Sequence, residues 1–300
     1  MFYAAIHTLT ILLVAGLSLH TTSGVQPGAP PHIPPPTTPT PTSIAGKEKG
    51  HATVEVRTDV GWVGTSQTFH VIVYITPDAG WHVYWKNPGA SGAPTVIQMS
   101  VPDGFVIGDP IFPRPTVFHG EEGQTYGYDK PAAIFIPVTA PNTLHDGQVD
   151  FEITTSWLAC KKTCVMGEQE NTLTLSTNAM HQGPLHKDLR LSQWSAALPR
   201  PLDDLEGGAS ALVGNTLHIS GETKMRPIRF LGVEQKGIQF GIPEQLVVNG
   251  GVFRLPVPVF LDFESLKEET IIIEGILLFG RKSDDPSYVV HFAVDSNTYK

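Results

Sequence analysis

Two cysteines stand close together in the segment SWLACKKTC, residues 156–164, and the chain of 300 residues contains no others. Cys160 and Cys164 are separated by three residues, a spacing suited to three kinds of chemistry. The pair could form a structural disulfide if a turn brought the two Cα atoms within about 4.4–6.8 Å. It could instead bind a soft metal ion, or exchange electrons with other thiols through reversible oxidation.

A purely structural disulfide would stabilise this chain only modestly. Closing a ring of about five residues contributes roughly 2 kcal/mol in the chain-entropy model, against about 4.7 kcal/mol for a loop of 100 residues. A chain of this length also buries a core large enough to fold without such a bond. The structural interpretation therefore stays open, but the stability that such a disulfide would add is small.

Metal binding is the second alternative. Cys160, Cys164 and nearby Met166 are soft ligands that suit copper(I). Structural zinc sites usually take four ligands from closely spaced pairs, and this chain has no second cysteine pair. We therefore predict no metal site and no cofactor, and keep copper binding only as part of the alternative function.

Redox exchange, the third alternative, requires a thiolate that forms easily. Lys161 and Lys162 lie between the two cysteines, and positive charges next to a thiol lower its pKa. The same lysines could equally be two solvated charges on a loop. The spacing differs from the C-x-x-C of thioredoxin and no βαβ pattern surrounds it, so a redox pair here would sit on a β scaffold.

The amino-terminal segment predicts export, which would let a disulfide persist. An apolar run from Leu9 to Leu19 has the length of a signal-peptide core, although only His7 supplies any basic character before it. We predict a signal peptide over residues 1–24, with an uncleaved membrane anchor as the alternative, and a periplasmic or secreted protein. Residues 25–46, rich in proline and threonine, are typical of a stiff extended linker.

Alternating apolar residues predict that residues 47–180 form an all-β domain. Phe69, Val71, Val73 and Ile75 share one strand face, and Val149, Phe151 and Ile153 share another. In GWHVYWKNPG, residues 80–89, Trp81, Val83 and Trp85 are expected in the core, with His82 and Tyr84 on the opposite face. Short strands punctuated by turn residues favour an antiparallel sandwich.

A helical connector, residues 181–207, and a second, smaller β domain, residues 208–300, are predicted after the sandwich. The connector should hold a helix over 184–198, with Leu191, Trp194 and Leu198 on one stripe. Asn249-Gly250-Gly251 predicts a hairpin turn. Pro256 and Pro258 predict an edge strand, because proline cannot donate to a β ladder.

The charge pattern argues against nucleic-acid binding, because the net charge is −9 and no basic cluster exceeds Lys161-Lys162. We expect contact with a membrane only if the amino-terminal segment remains uncleaved.

Four motifs occur in an order that resembles the amino-terminal domain family of the thiol:disulfide interchange protein DsbD. They are GWHVYWKNPGASGAPT (80–95), FPRP (112–115), YGY (126–128) and SWLACKKTC (156–164). The resemblance covers roughly residues 47–180 and implies an immunoglobulin-like fold that passes electrons from a thioredoxin-like domain to oxidised periplasmic proteins. It assigns Cys164 to the mixed disulfide with partners and Cys160 to its resolution.

The same resemblance implies a loop whose aromatic tip covers the disulfide until a partner arrives. HGEEGQTYGY, residues 119–128, occupies the corresponding region, so Tyr126 is the first candidate for the cap and Phe118 the second. Glu121 and Glu122 are either polar groups of that cap or solvated charges.

The sequence departs from the full-length family pattern, since it has no multi-span membrane segment and no thioredoxin-like C-x-x-C domain. We therefore expect a thioredoxin-fold electron donor supplied in trans and exported disulfide proteins as acceptors. The alternative is a non-enzymatic exported β module that binds a protein partner or copper and carries a structural disulfide.

Overall fold

The structure, a computed structural model, describes residues 50–295 apart from 122, 178–188, 227, 264 and 267–269. The predicted signal peptide, the whole predicted linker and the first part of the predicted helix lie outside the described residues. No helix within the described part of the chain has the length and apolar character needed to cross a membrane.

The first ten strands form a β-sandwich of two antiparallel sheets, as the alternating residues predict. One sheet has the order β1-β2-β8-β5, and the other has the order β10-β9-β3-β7-β6 with β4 also paired to β9. The strands are β1 Ala52–Thr58, β2 Thr68–Pro77, β3 His82–Gly89, β4 Val96–Ser100, β5 Val106–Ile107, β6 Thr116–Gly120, β7 Gly123–Tyr128, β8 Ala132–Thr139, β9 Gln148–Cys160 and β10 Cys164–Ser176.

The core between these sheets contains the residues that the alternation assigned to it. Phe69, Val71, Val73 and Ile75 of β2 are buried against Phe151 and Ile153 of β9. Each strand therefore has one face in the core and one face outside it. The immunoglobulin-like sandwich predicted from the sequence is confirmed.

A single short helix, α1 Leu189–Ala196, follows the sandwich within the described residues. Leu191, Trp194 and Leu198 pack on the outer face of the β1-β2-β8-β5 sheet, against Ile72 and Phe135. The predicted apolar stripe is correct, and its partner is the first sandwich.

Nine further strands within the described residues form a second sandwich, where the sequence predicted a second, smaller β domain. Its sheets have the orders β11-β19-β18-β14 and β12-β13-β17-β15, with β16 also paired to β17. The strands are β11 Arg200–Pro201, β12 Ala209–Val213, β13 Thr216–Glu222, β14 Ile228–Gly232, β15 Ile238–Phe240, β16 Val247–Asn249, β17 Val252–Leu261, β18 Thr270–Phe279 and β19 Ser287–Asp295; a 3-10 turn spans Leu202–Asp204.

Strand β17 corrects one prediction, because it is not an edge strand. It pairs with β13 along one side and with β15 and β16 along the other. Its two prolines lie between the segments paired to β15 and β16, where the irregular chain donates Gly241 N–H to Pro258 O and Glu244 N–H to Pro256 O. The proline nitrogens face this irregular segment, so no ladder hydrogen bond is lost.

The second sandwich packs against the first through the outer face of its β14–β18 pair. Leu231, Ile276 and Leu278 join the core cluster of the first sandwich. Asn87 Nδ2 donates to Gly232 O, and Lys86 forms an ion pair with Glu274. Asn87-Pro88-Gly89 forms the irregular end of β3, and Asn87 contacts the second sandwich.

Candidate functional site

The two cysteines close the end of the β9–β10 hairpin. Cys160 and Cys164 are cross-strand partners at the last pair of a ladder of thirteen residues per strand, and residues 161–163 form the turn. The two sulfurs are bonded to each other, and the two Cα atoms lie 4.1 Å apart. Because the ladder already holds the strands side by side, the cysteines stay adjacent whether or not the bond is present.

The two cysteines differ in exposure. Cys160 is only 4% exposed, whereas Cys164 is an exposed residue at the start of β10. The alternation of β9 explains the position of Cys160: Trp157 and Ala159 point into the core, so Cys160 points to the outer face of the sheet. An approaching thiol therefore meets Cys164 first.

Cys160 is covered by the side chains of β3. Tyr84, itself 5% exposed, places its hydroxyl 3.4 Å from Cys160 Sγ and donates a hydrogen bond to it. His82 is the cross-strand partner of Cys160 on β3. Val83 and Trp85 are in the core, so alternation sends His82 and Tyr84 to the outer face with Cys160, as the sequence predicted.

The glycine-containing segment after β3 packs on Tyr84. Gly92 has φ +104°, and a Cβ at this position would lie 2.4 Å from Tyr84 Cζ. Thr95 Oγ1 donates to Tyr84 O at 2.6 Å. The ASGAPT part of the motif, residues 90–95, thus holds the tyrosine in place because only glycine allows this close approach.

Phe118, the second cap candidate, reaches the site through His82. Their ring centroids lie 4.7 Å apart, and His82 also makes an edge contact of 5.3 Å with Tyr84. Burial lowers the pKa of His82, while the nearby Asp129 acts in the opposite direction. A neutral imidazole at neutral pH is consistent with its place between two aromatic rings.

Tyr126, the first cap candidate, lies on the other face of the sheet. Its ring packs edge-on against Trp85 at 6.5 Å and borders the core of the first sandwich. Burial raises its pKa, with Glu234 of the second sandwich raising it further and Arg229 lowering it. The structure does not bring Tyr126 to the disulfide, which corrects the expectation drawn from the sequence.

The charged residues predicted near the site are solvent-exposed. Lys161 and Lys162 lie in the turn, and the Lys161 side chain extends over Gly80. Glu121 is exposed, and Glu122 is outside the described residues. A role for the two lysines in stabilising a thiolate remains a prediction.

Met166, the third soft ligand considered from the sequence, is 62% exposed on β10. Within the described ranges, no group of three or more His, Cys, Asp or Glu side chains is arranged to hold a metal ion.

Sequence reasoning placed His82 and Tyr84 on the outer face but did not connect them to the cysteines. That connection depends on β3 pairing with β9, which lies about seventy residues further along the chain. The signal available was the alternation of β3, which puts His82 and Tyr84 on the face opposite Val83 and Trp85.

Comparison with known proteins identifies a family for the first sandwich. Residues 52–176 match the family described as "Thiol:disulfide interchange protein DsbD, N-terminal". No curated protein sequence matches the chain. Among solved structures, the N-terminal periplasmic domain of ScsB from Proteus mirabilis is 18% identical, with a TM-score of 0.54 over 85% of this chain and 97% of that one. It shares the fold of both sandwiches.

A second solved structure, the reduced DsbD n-terminal domain from Neisseria meningitidis, is 17% identical to this chain. The match covers 43% of this chain and 87% of that one, with a TM-score of 0.29.

Proposed function

Because residues 52–176 of this chain belong to the family of amino-terminal domains of the thiol:disulfide interchange protein DsbD, we propose that the protein exchanges electrons through Cys160 and Cys164. The observation that carries this function is the difference between the two sulfurs. Cys164 is exposed, and Cys160 is buried and accepts a hydrogen bond from Tyr84. The sulfur that a partner attacks must be accessible, as Cys164 is. The sulfur that leaves must be stabilised as a thiolate, as the hydrogen bond to Cys160 allows.

Reduction of the oxidised pair starts with a thiolate of the electron donor, which attacks Cys164 Sγ. The S–S bond to Cys160 breaks, a mixed disulfide forms between the donor and Cys164, and Cys160 leaves as a thiolate. The Tyr84 hydroxyl donates to the negative charge that develops on Cys160. The donor's second thiol then attacks the mixed disulfide, which releases an oxidised donor and leaves Cys160 and Cys164 reduced.

Transfer to the acceptor follows the same route in reverse. The Cys164 thiolate attacks a disulfide of the acceptor and forms a mixed disulfide, while one acceptor sulfur leaves as a thiolate. Cys160 then attacks Cys164 Sγ, the intramolecular disulfide reforms, and the acceptor leaves with both sulfurs reduced. Two electrons pass from donor to acceptor, and protons on the thiols exchange with water.

The scaffold is suited to opening and closing this bond. The β9–β10 ladder keeps the two cysteines in register, and the disulfide closes only the short turn 161–163. Opening so small a ring costs the fold only about 2 kcal/mol in the chain-entropy model. The bond can therefore cycle without loss of the sandwich.

We assign the donor to the thioredoxin fold and the acceptors to exported disulfide-containing proteins, in the periplasm or outside the cell. The exposed turn, which contains Lys161 and Lys162, is the surface that a partner's active-site cysteine would approach. Phe118, packed on His82, covers the inner side of the pair until the partner docks.

The reduction potential of the pair tests this function. A working exchange couple should equilibrate with glutathione at a potential between about −120 and −270 mV, the range of known exchange proteins. A potential below about −300 mV would identify an inert bond. That result would favour the alternative, a non-enzymatic exported β module with a structural disulfide.

A further inference from the structure

A cavity of about 550 Å³ lies where the two sandwiches meet, away from the disulfide. Its wall on the first sandwich is formed by β6 and the residues before it, including Arg114, Val117 and His119. Its wall on the second sandwich includes Arg229 of β14 and the turn after β18, with Arg281 and Lys282. Neighbouring Phe118 packs on His82 of the disulfide site, so β6 contributes to both features.

The lining is strongly basic although the protein is acidic. Four of the ten residues around the cavity are arginine or lysine, and none is aspartate or glutamate. The whole chain has only 20 such basic residues among 300 and a net charge of −9. Like charges gathered in one concave site repel each other unless an anion is present.

Arg114 forms a fixed positive charge at the base of the cavity. Its guanidinium, 8% exposed as a residue, donates to Phe279 O at 2.7 Å and to Gly280 O and Pro286 O at 3.1 Å, all on the second sandwich. These carbonyls orient the group but do not neutralise it. Burial and Arg229 lower the pKa of Arg114, whereas the nearby Asp285 and Asp284 raise it.

Arg229 supplies a donor without an acceptor. Its Nε is buried and makes no hydrogen bond. The Nε is closed off from the cavity itself, so Arg229 contributes to the lining through the positive charge of its guanidinium. Arg281 and Lys282 add exposed positive charge at the rim, and neither forms an ion pair within the part of the chain that the structure describes.

Two carboxylates near the rim offset only part of this charge. The Asp285 carboxylate accepts the Lys282 backbone N–H at 2.8 Å and is held within the turn. Asp284 is exposed. Neither lines the cavity.

We infer that this cavity binds a small multivalent oxyanion, a ligand with several phosphate or carboxylate oxygens. Its volume falls in the range of small-molecule sites, about 300–1,000 Å³, and guanidinium groups suit oxyanions because their planar donors match two oxygens at once. The inference goes beyond the exchange function and does not depend on it.

Calorimetric titration of the full chain at low ionic strength tests the inference, with pyrophosphate and citrate as separate probes. Binding of either supports the site, and the stronger one identifies phosphate or carboxylate as the preferred oxygen source. Arg281→Gln with Lys282→Gln should weaken binding about fivefold to tenfold, because two rim charges are lost. Arg229→Gln should weaken it about tenfold or more, because a partly buried positive charge of the lining is removed.

A double variant of Lys130→Gln and Lys236→Gln is the matched control. Both lysines are exposed, neither lines the cavity, and the pair removes the same charge as the rim variant. Affinity should stay within about twofold of the parent protein. Failure of both probes to bind, or equal weakening by the control, would overturn the inference. Tighter binding of hexaglutamate than of either probe would overturn it in favour of an acidic peptide.

Discussion

The hydroxyl of Tyr84 donates a hydrogen bond to Cys160 Sγ over 3.4 Å, between two residues that are both about 95% buried. The contact joins β3 to the end of the β9–β10 hairpin. Gly92 packs closely against the Tyr84 ring and holds it in place. In a buried setting such a donor stabilises a negatively charged sulfur more than a neutral one. It therefore favours the reduced pair whenever Cys160 is a thiolate.

Tyr84→Phe should make the reduction potential of the pair more negative. The hydrogen bond should be about 1 kcal/mol stronger in the reduced state than in the oxidised state. Its loss therefore lowers the potential by about 20 mV. Equilibration with glutathione measures the shift. Tyr128→Phe is the matched control, because its hydroxyl donates to Pro113 O, away from the sulfurs. Equal potentials in the parent and Tyr84→Phe would show that Tyr84 does not act on the pair.

Phe118→Ala should expose the inner cysteine. In a Cys164→Ser background only the Cys160 thiol remains, and its rate of alkylation by iodoacetamide reports access directly. We expect a severalfold increase, since loss of the ring uncovers His82, the cross-strand partner of Cys160. Phe260→Ala, on an exposed aromatic of the second sandwich, should leave the rate unchanged. An unchanged rate in Phe118→Ala would exclude it as the cap.

The lowered pKa of Glu274 predicts how the stability of the fold depends on pH. Burial alone would raise its pKa, but hydrogen bonds and charge from His291 and Lys86 outweigh burial and lower the pKa to about 2. A carboxyl whose folded pKa is depressed stabilises the fold above its unfolded pKa of about 4.3, and this stability is lost as the pH falls towards 2.

Urea unfolding between pH 5 and pH 2 should therefore show a smaller loss of stability in Glu274→Gln than in the parent protein. Asp103→Asn removes the same charge at an exposed loop residue and is the matched control. Parallel pH profiles for the parent and Glu274→Gln would contradict the assigned contact between the sandwiches.

Much of the fold follows from short-range pattern. The alternation of β3 correctly separates Val83 and Trp85 from His82 and Tyr84, because a strand has a period of two residues. The turn at Gly250 and Gly251 is a two-residue hairpin with φ of +61° and +95°, as the Asn-Gly-Gly sequence predicts.

The predictions that failed required knowledge of pairing between distant segments. Tyr126 was expected near the disulfide, yet the register of β7 turns it towards Trp85 and the second sandwich. The prolines of β17 led to the prediction of an edge strand. The irregular segment that pairs with them, residues 241–246, cannot be recognised from residue propensities. Likewise the partners of Asn87 and Arg114 lie about 145 to 170 residues away, which no local pattern reveals.

Trapping of partners tests the proposed exchange most directly. Cys160→Ser removes the thiol that resolves a mixed disulfide, so intermediates formed through the exposed Cys164 should accumulate. Expressed in the periplasm, this variant should give covalent adducts that disappear on treatment with reductant, and Cys164→Ser should give fewer. Absence of adducts in both variants would contradict the proposal, if loss of both cysteines also lowered the unfolding free energy by only about 2 kcal/mol.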